Sequence, residues 1–273
     1  MDRLAILCQE EPVFLGPFLQ QVIRMHPERI AAVCLAGNRS AGEPRGTLQS
    51  RLTSLRLLWR LFEPQGFIKA FLLRKRAVLL GPRDPRSVER AARESRIEVH
   101  RVNDPNAPAF HQLLRSIEPA AVLNQSEKIL KTEVLGIPPL GFINRHASLL
   151  PRFRGRMAAF WAHAAEPPSY GLTIHLVDEG IDTGPILLQR EFSDIDPAWP
   201  YPRVMQKIMD NAPAMLWEAW EQRVAHHAEP IPNNPVDAPR RFPSADDIKA
   251  YRQTLKRRRA TRSQTRPPKN AHP

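Results

Sequence analysis

Asn144, His146 and Asp182 are the residues whose types and spacing could carry chemistry. The first two lie in "GFINRH". In an extended strand, side chains alternate between faces, so Asn144 and His146 point the same way and Arg145 points opposite. Asn offers a neutral N–H donor, and His titrates near neutral pH. A third group is needed to orient and charge the imidazole. Asp182, in the glycine-flanked "GIDTG", can bring a carboxylate close to a backbone turn. Each residue also has an ordinary alternative: Asn as a strand-end cap, His as a structural group, Asp before Thr-Gly as a turn former.

The elements that must position these groups follow from short apolar runs alternating with helical patterns. Leu4–Cys8, Ile30–Ala36, Ile97–Val102, Ala120–Asn124 and Gly141–Asn144 read as strands, followed by "YGLTIHLVD" and "GPILLQREF". Helical spacing appears at Phe14, Phe18, Val22 and Met25, near Ser87–Ser95, and in "APAFHQLLRSI". Strand–helix alternation predicts an α/β fold with a doubly wound, mostly parallel sheet. Asn144 and His146 then sit at the carboxyl end of a strand, where open α/β sheets bind ligands. Tyr201–Ala225 reads as a helix packing back on the sheet, with Pro213 a kink. Residues 1–225 are thus expected to form one catalytic domain and 226–243 a proline-rich linker. Residues 244–273 are expected to hold a short helix over Ser244–Gln253, capped by Ser244 with Asp247, and then a basic, disordered tail. Leu48–Arg76 has helical apolar spacing at 48, 52, 55, 58, 61 and 62, interrupted by arginines and lysine. It reads as a helical insertion packing its apolar face on the domain, with a membrane-surface or acidic-partner patch as the alternative.

The formal charge of +12 over 273 residues is uneven. Residues 240–273 hold eleven Lys/Arg against Asp246 and Asp247, a net +9, which leaves +3 for the rest. The tail is therefore expected to add little core and to bind polyanions weakly, in a salt-dependent way. Cys8 and Cys34 fall in apolar runs and read as buried free thiols. No metal-ligand spacing occurs, so no metal is expected. No secretory leader pattern or uncharged run of about 20 residues is present, and a soluble cytoplasmic protein is expected.

The composite pattern around the three polar residues resembles the formyltransferase family, which includes glycinamide ribonucleotide, methionyl-tRNA and sugar N-formyltransferases. The match runs through Asn144, His146, Ser148–Pro151, Arg154–Gly155, Gly171, Thr173, His175 and Asp182–Ile186. It extends more weakly over Ala120–Val224. The resemblance implies a Rossmann-like formyltransferase fold, one-carbon biosynthetic chemistry, and 10-formyltetrahydrofolate as donor to a small-molecule amine acceptor. It implies catalytic roles for Asn144, a protonated His146 and Asp182. Folate contacts are implied for Ser126, Glu127, Lys128, Ile129 and Leu130 in "LNQSEKIL", and for Val177, Glu179, Gly180 and Ile181. Supporting roles are implied for Ser148, Arg154, Gly155, Thr173, His175 and Thr183.

Departures from the family concern Arg145, where an aliphatic residue is usual, Ala147, where Pro is common, and the loop after the first strand. There Glu10 and Glu11 replace a glycine-rich phosphate turn. Two carboxylates repel phosphate, so they are expected to bind the acceptor and to select an amine without a terminal phosphate. The competing readings are a 10-formyltetrahydrofolate hydrolase, a methionyl-tRNA formyltransferase-like enzyme lacking the usual C-terminal domain, and a basic nucleic-acid-binding protein on a relic enzyme fold.

Overall fold

The computed structural model describes residues 3–37, 48–224, 228–235 and 237–265, without the side chains of 48–58, 60 and 263–265. The runs LAILC and IAAVCLA form strands β1 (Leu4–Cys8) and β2 (Ile30–Ala36), joined by helix α1 (Leu15–Met25). β1 is buried along its whole length, as expected of a strand covered on both faces. After β2 come α2 (Leu48–Leu80), α3 (Val88–Glu94), β3 (Glu98–Val102), α4 (Pro108–Ile117) and β4 (Ala121–Gln125). The chain continues through α5 (Thr132–Leu135), β5 (Phe142–His146), α6 (Ala158–Ala164), β6 (Gly171–Leu176) and β7 (Ile186–Glu191). It ends in α7 (Tyr201–Val224) and α8 (Ala245–Thr265).

The sheet order is β3-β2-β1-β4-β5-β6-β7. Pairs from β3 to β5 are parallel, whereas β6 and β7 add antiparallel strands at one edge. Two apolar layers enclose the sheet. Phe18, Val88, Phe160, Leu216 and Trp220 bring α1, α3, α6 and α7 to one face; Phe110, Leu114 and Val134 bring α4 and α5 to the other. Cys8 and Cys34 are buried free thiols, and burial pushes Cys34 up to about 12.

Two expectations about organisation are revised. Helix α8 runs to Thr265, well past Gln253. Its Ser244 cap holds as read, with Ser244 N donating to Asp247 at 2.7 Å and Asp247 N to Ser244 Oγ at 3.2 Å. Ile248, Tyr251 and Leu255 form an apolar stripe that joins the main core. The basic residues also pair with the domain: Arg257 with Glu166, Arg259 with Glu63, Arg262 with Asp196, and Arg258 with the carbonyls of His163 and Ala165. The sparse apolar residues of this segment fall on one helical face, which is why low hydrophobicity misled. Residues 266–273 lie outside the described residues.

The proline-rich segment is likewise packed rather than a free spacer. Ile231 bridges Ile186, and Arg240 bridges Gly155. In α2, Glu63 has φ 58° before Pro64, which breaks the helical path, because a residue preceding proline is pushed out of the α region. Leu61 is buried and Phe62 packs near Tyr201, but Trp59, Ile68, Phe71, Leu72, Val78 and Leu79 are exposed. The apolar positions 48, 52, 55 and 58 lie outside the described side chains.

Candidate active site

Strand register assembles the polar centre. Asn124 of β4 lies opposite Asn144 of β5, and on the other side Asn144 lies opposite His175 of β6. His146 is paired with Thr173. Asp182 enters from the β6–β7 loop in the left-handed region, φ 52°, a conformation Asp tolerates better than most residues. Its Oδ2 lies 3.4 Å from His146 Nδ1 and accepts from Gly155 N at 2.8 Å. Its Oδ1 lies 3.6 Å from His175 Nε2 and 3.5 Å from Asn144 Nδ2. Sequence positions 144, 146, 175 and 182 therefore converge on one point at the carboxyl end of the parallel strands.

The electrostatics separate the groups. Burial lowers His146 to about 4, and the Asp182 charge only partly opposes this. The ring is therefore neutral at neutral pH, where the resemblance implied an imidazole held charged by Asp182. Both ring nitrogens nevertheless face acceptors: Nε2 is 3.0 Å from Phe153 O and Nδ1 faces Asp182. A proton arriving on the ring would thus find a partner at each nitrogen. For Asp182, burial acts to raise the pKa, but the adjacent His175 and His146 imidazoles and the Gly155 N–H outweigh it and hold the carboxyl at about 2. Asp182 is ionised throughout the physiological range.

Asn144 is oriented by a relay that starts at Arg145. Arg145 Nε donates to Gln125 Oε1 at 3.0 Å, and Gln125 Nε2 donates to Asn144 Oδ1 at 2.7 Å. Arg has no acceptor, so this order fixes both amides. The Asn144 NH2 then faces Asp182 and His175 Nε2, the latter at 3.3 Å. His175 Nδ1 donates to Leu176 O at 2.7 Å. Gln125 was missed from sequence; its signal was the same-face, neighbouring-strand relation to Arg145.

Three loops surround the centre. Residues 126–131 and 177–183 are tied together by the Thr132 hydroxyl donating to Glu179, and between them Ile129 (71% exposed) and Ile181 (47%) present uncovered aliphatic surface. Leu130 is buried beneath. Ser126 N and Oγ donate to Asn124 Oδ1 at 3.1 and 2.7 Å, and Glu127 meets Arg156 at 3.3 Å. Lys128 follows Glu127 in the same loop. Asn106, also missed, clamps this loop through Ile129 O (2.9 Å) and Lys131 N (2.8 Å). Val177 N donates to Phe142 O at 2.7 Å, and Asp178 accepts from Gly180 N at 3.1 Å and Thr183 Oγ1 at 2.6 Å. Thr173 Oγ1 bonds Ser148 O (2.7 Å) and Leu150 N (3.2 Å), anchoring the loop after β5. Arg154 donates to Ile181 O at 2.9 Å and to Asp237 O. Gly155 has φ 90°, and a Cβ there would collide with the Arg240 backbone. Asn233 donates to the carbonyls of Asp182 and Gly184, both at 3.0 Å; its place in a proline-rich segment gave no sequence signal.

Glu10 and Glu11 are not brought into the centre. Glu11 accepts from the backbone N–H groups of Val13, Phe14 and Leu15 at 2.8–3.0 Å and so caps α1. Glu10 accepts from Ser87 Oγ and from the N–H groups of Val88 and Glu89 at the start of α3. Helix N-termini offer unsatisfied donors that carboxylates complement, and both side chains are taken up by that task. The expectation that they bind the acceptor is not matched by this geometry, and the argument against an acidic acceptor loses its basis.

A family model described as "Formyl transferase" matches residues 77–220, more than half of the chain. Among curated proteins, the chain is 41% identical over 114 residues to methionyl-tRNA formyltransferase of Deinococcus radiodurans, covering 42% of this chain and 36% of that one. It is 30% identical over 177 residues to that of Pelobacter propionicus, covering 64% and 51%. The chain thus spans about half or less of the length of the curated relatives it matches. Among solved structures, phosphoribosylglycinamide formyltransferase from Bacillus halodurans superposes with TM-score 0.57 at 19% identity, covering 83% of this chain and 97% of that one. A sugar N-formyltransferase from a Shewanella species gives 0.51 at 15% identity, with 93% and 88% covered. These likenesses bear on the fold. The family match carries the assignment, and the chain belongs to the formyl transferase family.

Proposed function

We propose that the protein transfers a formyl group from 10-formyltetrahydrofolate to the amine of a small-molecule acceptor. The observation that carries this reading is the convergence of Asn144, His146 and Asp182 at one point on the strand ends. Loops 126–131 and 177–183 suit the folate: Ile129 and Ile181 offer aliphatic cover for a flat heterocycle, and backbone groups of the same loops can meet its polar edge. The donor supplies a formyl carbon bonded to nitrogen. As the acceptor amine bonds to that carbon and the carbon–nitrogen bond of the donor breaks, negative charge develops on the formyl oxygen. The Asn144 NH2 donates to that oxygen, a kind of contact worth about 10²–10³ in rate. His146, neutral at rest, takes the proton the amine must lose, and Asp182 balances the charge so formed. The proton finally belongs on the departing nitrogen. Residues 1–225 serve as the catalytic unit in this reading, with 226–243 and the following helix strapped against it.

Methionyl-tRNA as acceptor is a second reading, favoured by the curated relatives. The test is to supply 10-formyltetrahydrofolate with panels of small amines and with charged initiator tRNA while following tetrahydrofolate release. Release that depends on a small amine is the expected result. Release equally fast without any acceptor would mean hydrolysis, and release only with the tRNA would favour the second reading.

A further inference from the structure

Arg145 starts the relay to Asn144, but its charge has no role in the transfer chemistry. It sits on β5 between Asn144 and His146 but points to the opposite sheet face, toward α1 and the start of α7. The Phe18 ring lies 5.3 Å from its guanidinium, and Tyr201 is close enough to interact with its charge. Its Nε bonds Gln125, two hydrogen bonds away from the Asn144 amide. Its remaining N–H groups have no protein acceptor among the described residues, and no carboxylate there pairs with it. Other arginines do pair: Arg76 with Asp84, Arg93 with Glu89, Arg190 with Glu218. Glu10 and Glu11, which follow β1 on the far side of β4, are taken up as helix caps.

A half-buried cation without a counter-ion is costly, and the cost is recovered when a ligand supplies the anion. Desolvation lowers Arg145 to about 10, which still leaves it charged at neutral pH. The residue is partly open to solvent, so a ligand can reach it. A planar guanidinium fork matches carboxylate and phosphate. The loops suited to the folate lie on the other side of Asn144, which leaves the Arg145 side for the acceptor. We propose that Arg145 is the anion-binding group of the acceptor site, so that the acceptor amine also carries a carboxylate or phosphate. This rests on the amine-transfer reading above.

Matched pairs of amines test it, each supplied as the free acid or phosphate ester and as its uncharged amide or alcohol. Wild-type protein is expected to favour the anionic member by about 10–100-fold in kcat/KM. Arg145→Met should erase that preference, chiefly through KM, and Arg145→Lys should keep part of it. Independently of turnover, the Arg145 Nε–H resonance, assigned by its loss in Arg145→Met, should shift on titration with acetate or inorganic phosphate and not with equal chloride. Acid and neutral members formylated alike, with Arg145→Met lowering kcat equally for both, would overturn the proposal and leave Arg145 a positioning residue for Asn144. An anion-dependent shift without formylation of any amine would keep the anion site and defeat the transfer reading. Absence of the shift with transfer intact would defeat the anion site alone.

Discussion

At the scale of residues, His146 occupies a position where two influences oppose. Burial disfavours its charged form, while Phe153 O and Asp182 stand ready for a proton on each nitrogen. Such a ring is neutral when an amine must lose a proton and has partners for the cation once formed. Asp182→Asn keeps the shape but removes the balancing charge, and we expect turnover to fall by about 10²–10⁴ with donor affinity little changed; steady-state rates and donor binding check this. The amide relay gives a second expectation. Gln125→Leu frees Asn144 to rotate and should lower kcat by about 10-fold while leaving KM for the donor unchanged. A Gln125→Leu enzyme with wild-type kcat would show that Asn144 is oriented without the relay.

At the scale of elements, the strap over the site and helix α8 make predictions. Tyr251 packs on Phe160 at 5.3 Å, and its hydroxyl accepts from Tyr201 N at 3.1 Å. Tyr251→Ala should cost about 3 kcal/mol, and truncation after Pro239 should lower Tm more; calorimetry that finds Tm unchanged would show the segment to be dispensable. Gly155→Ala forces a Cβ against the Arg240 backbone at a positive φ, so loss of both stability and turnover is expected from denaturant titration and rate assays. These same elements mark where the sequence was readable. Long apolar runs such as IAAVCLA announce buried parallel strands, and "NRH" at a strand end announces the centre. The carboxyl-terminal packing was hidden because α8 buries only a narrow stripe, and Asn233 because hydrogen bonds to distant carbonyls leave no local pattern. Glu10 and Glu11 were misread because a cap and a ligand-binding pair look alike until the neighbouring helix starts are known.

At the scale of the whole molecule, stability and pH are linked through buried histidines. His146 and His163 are each held by burial at about 4, below the ordinary 6.5. His163 is satisfied as a neutral ring, with Nε2 donating to Trp199 O at 3.0 Å and Nδ1 accepting from Tyr170 Oη at 2.9 Å. Between pH 6.5 and 4 the unfolded chain binds protons that the folded chain refuses, so stability is full above about 6.5 and lost as pH falls toward 4. Asp182, held at about 2, adds stability above its ordinary 3.8 that is lost only below it. Each histidine contributes on the order of 3 kcal/mol, and Tm should fall by about 10 °C or more from pH 7 to 4.5, where a flat profile would contradict these burials. The fold as a whole brings two loops, one strand end and one carboxylate to a single point. The most direct measurement follows carbon-13 from the formyl group of the donor into an amine acceptor by NMR, with wild-type protein and a folded His146→Ala variant side by side. Label should appear on the amine with wild type and accumulate about 10²–10⁴ times more slowly with the variant; label reaching the amine at a comparable rate in both, or only free formate in either, would contradict transfer by this centre.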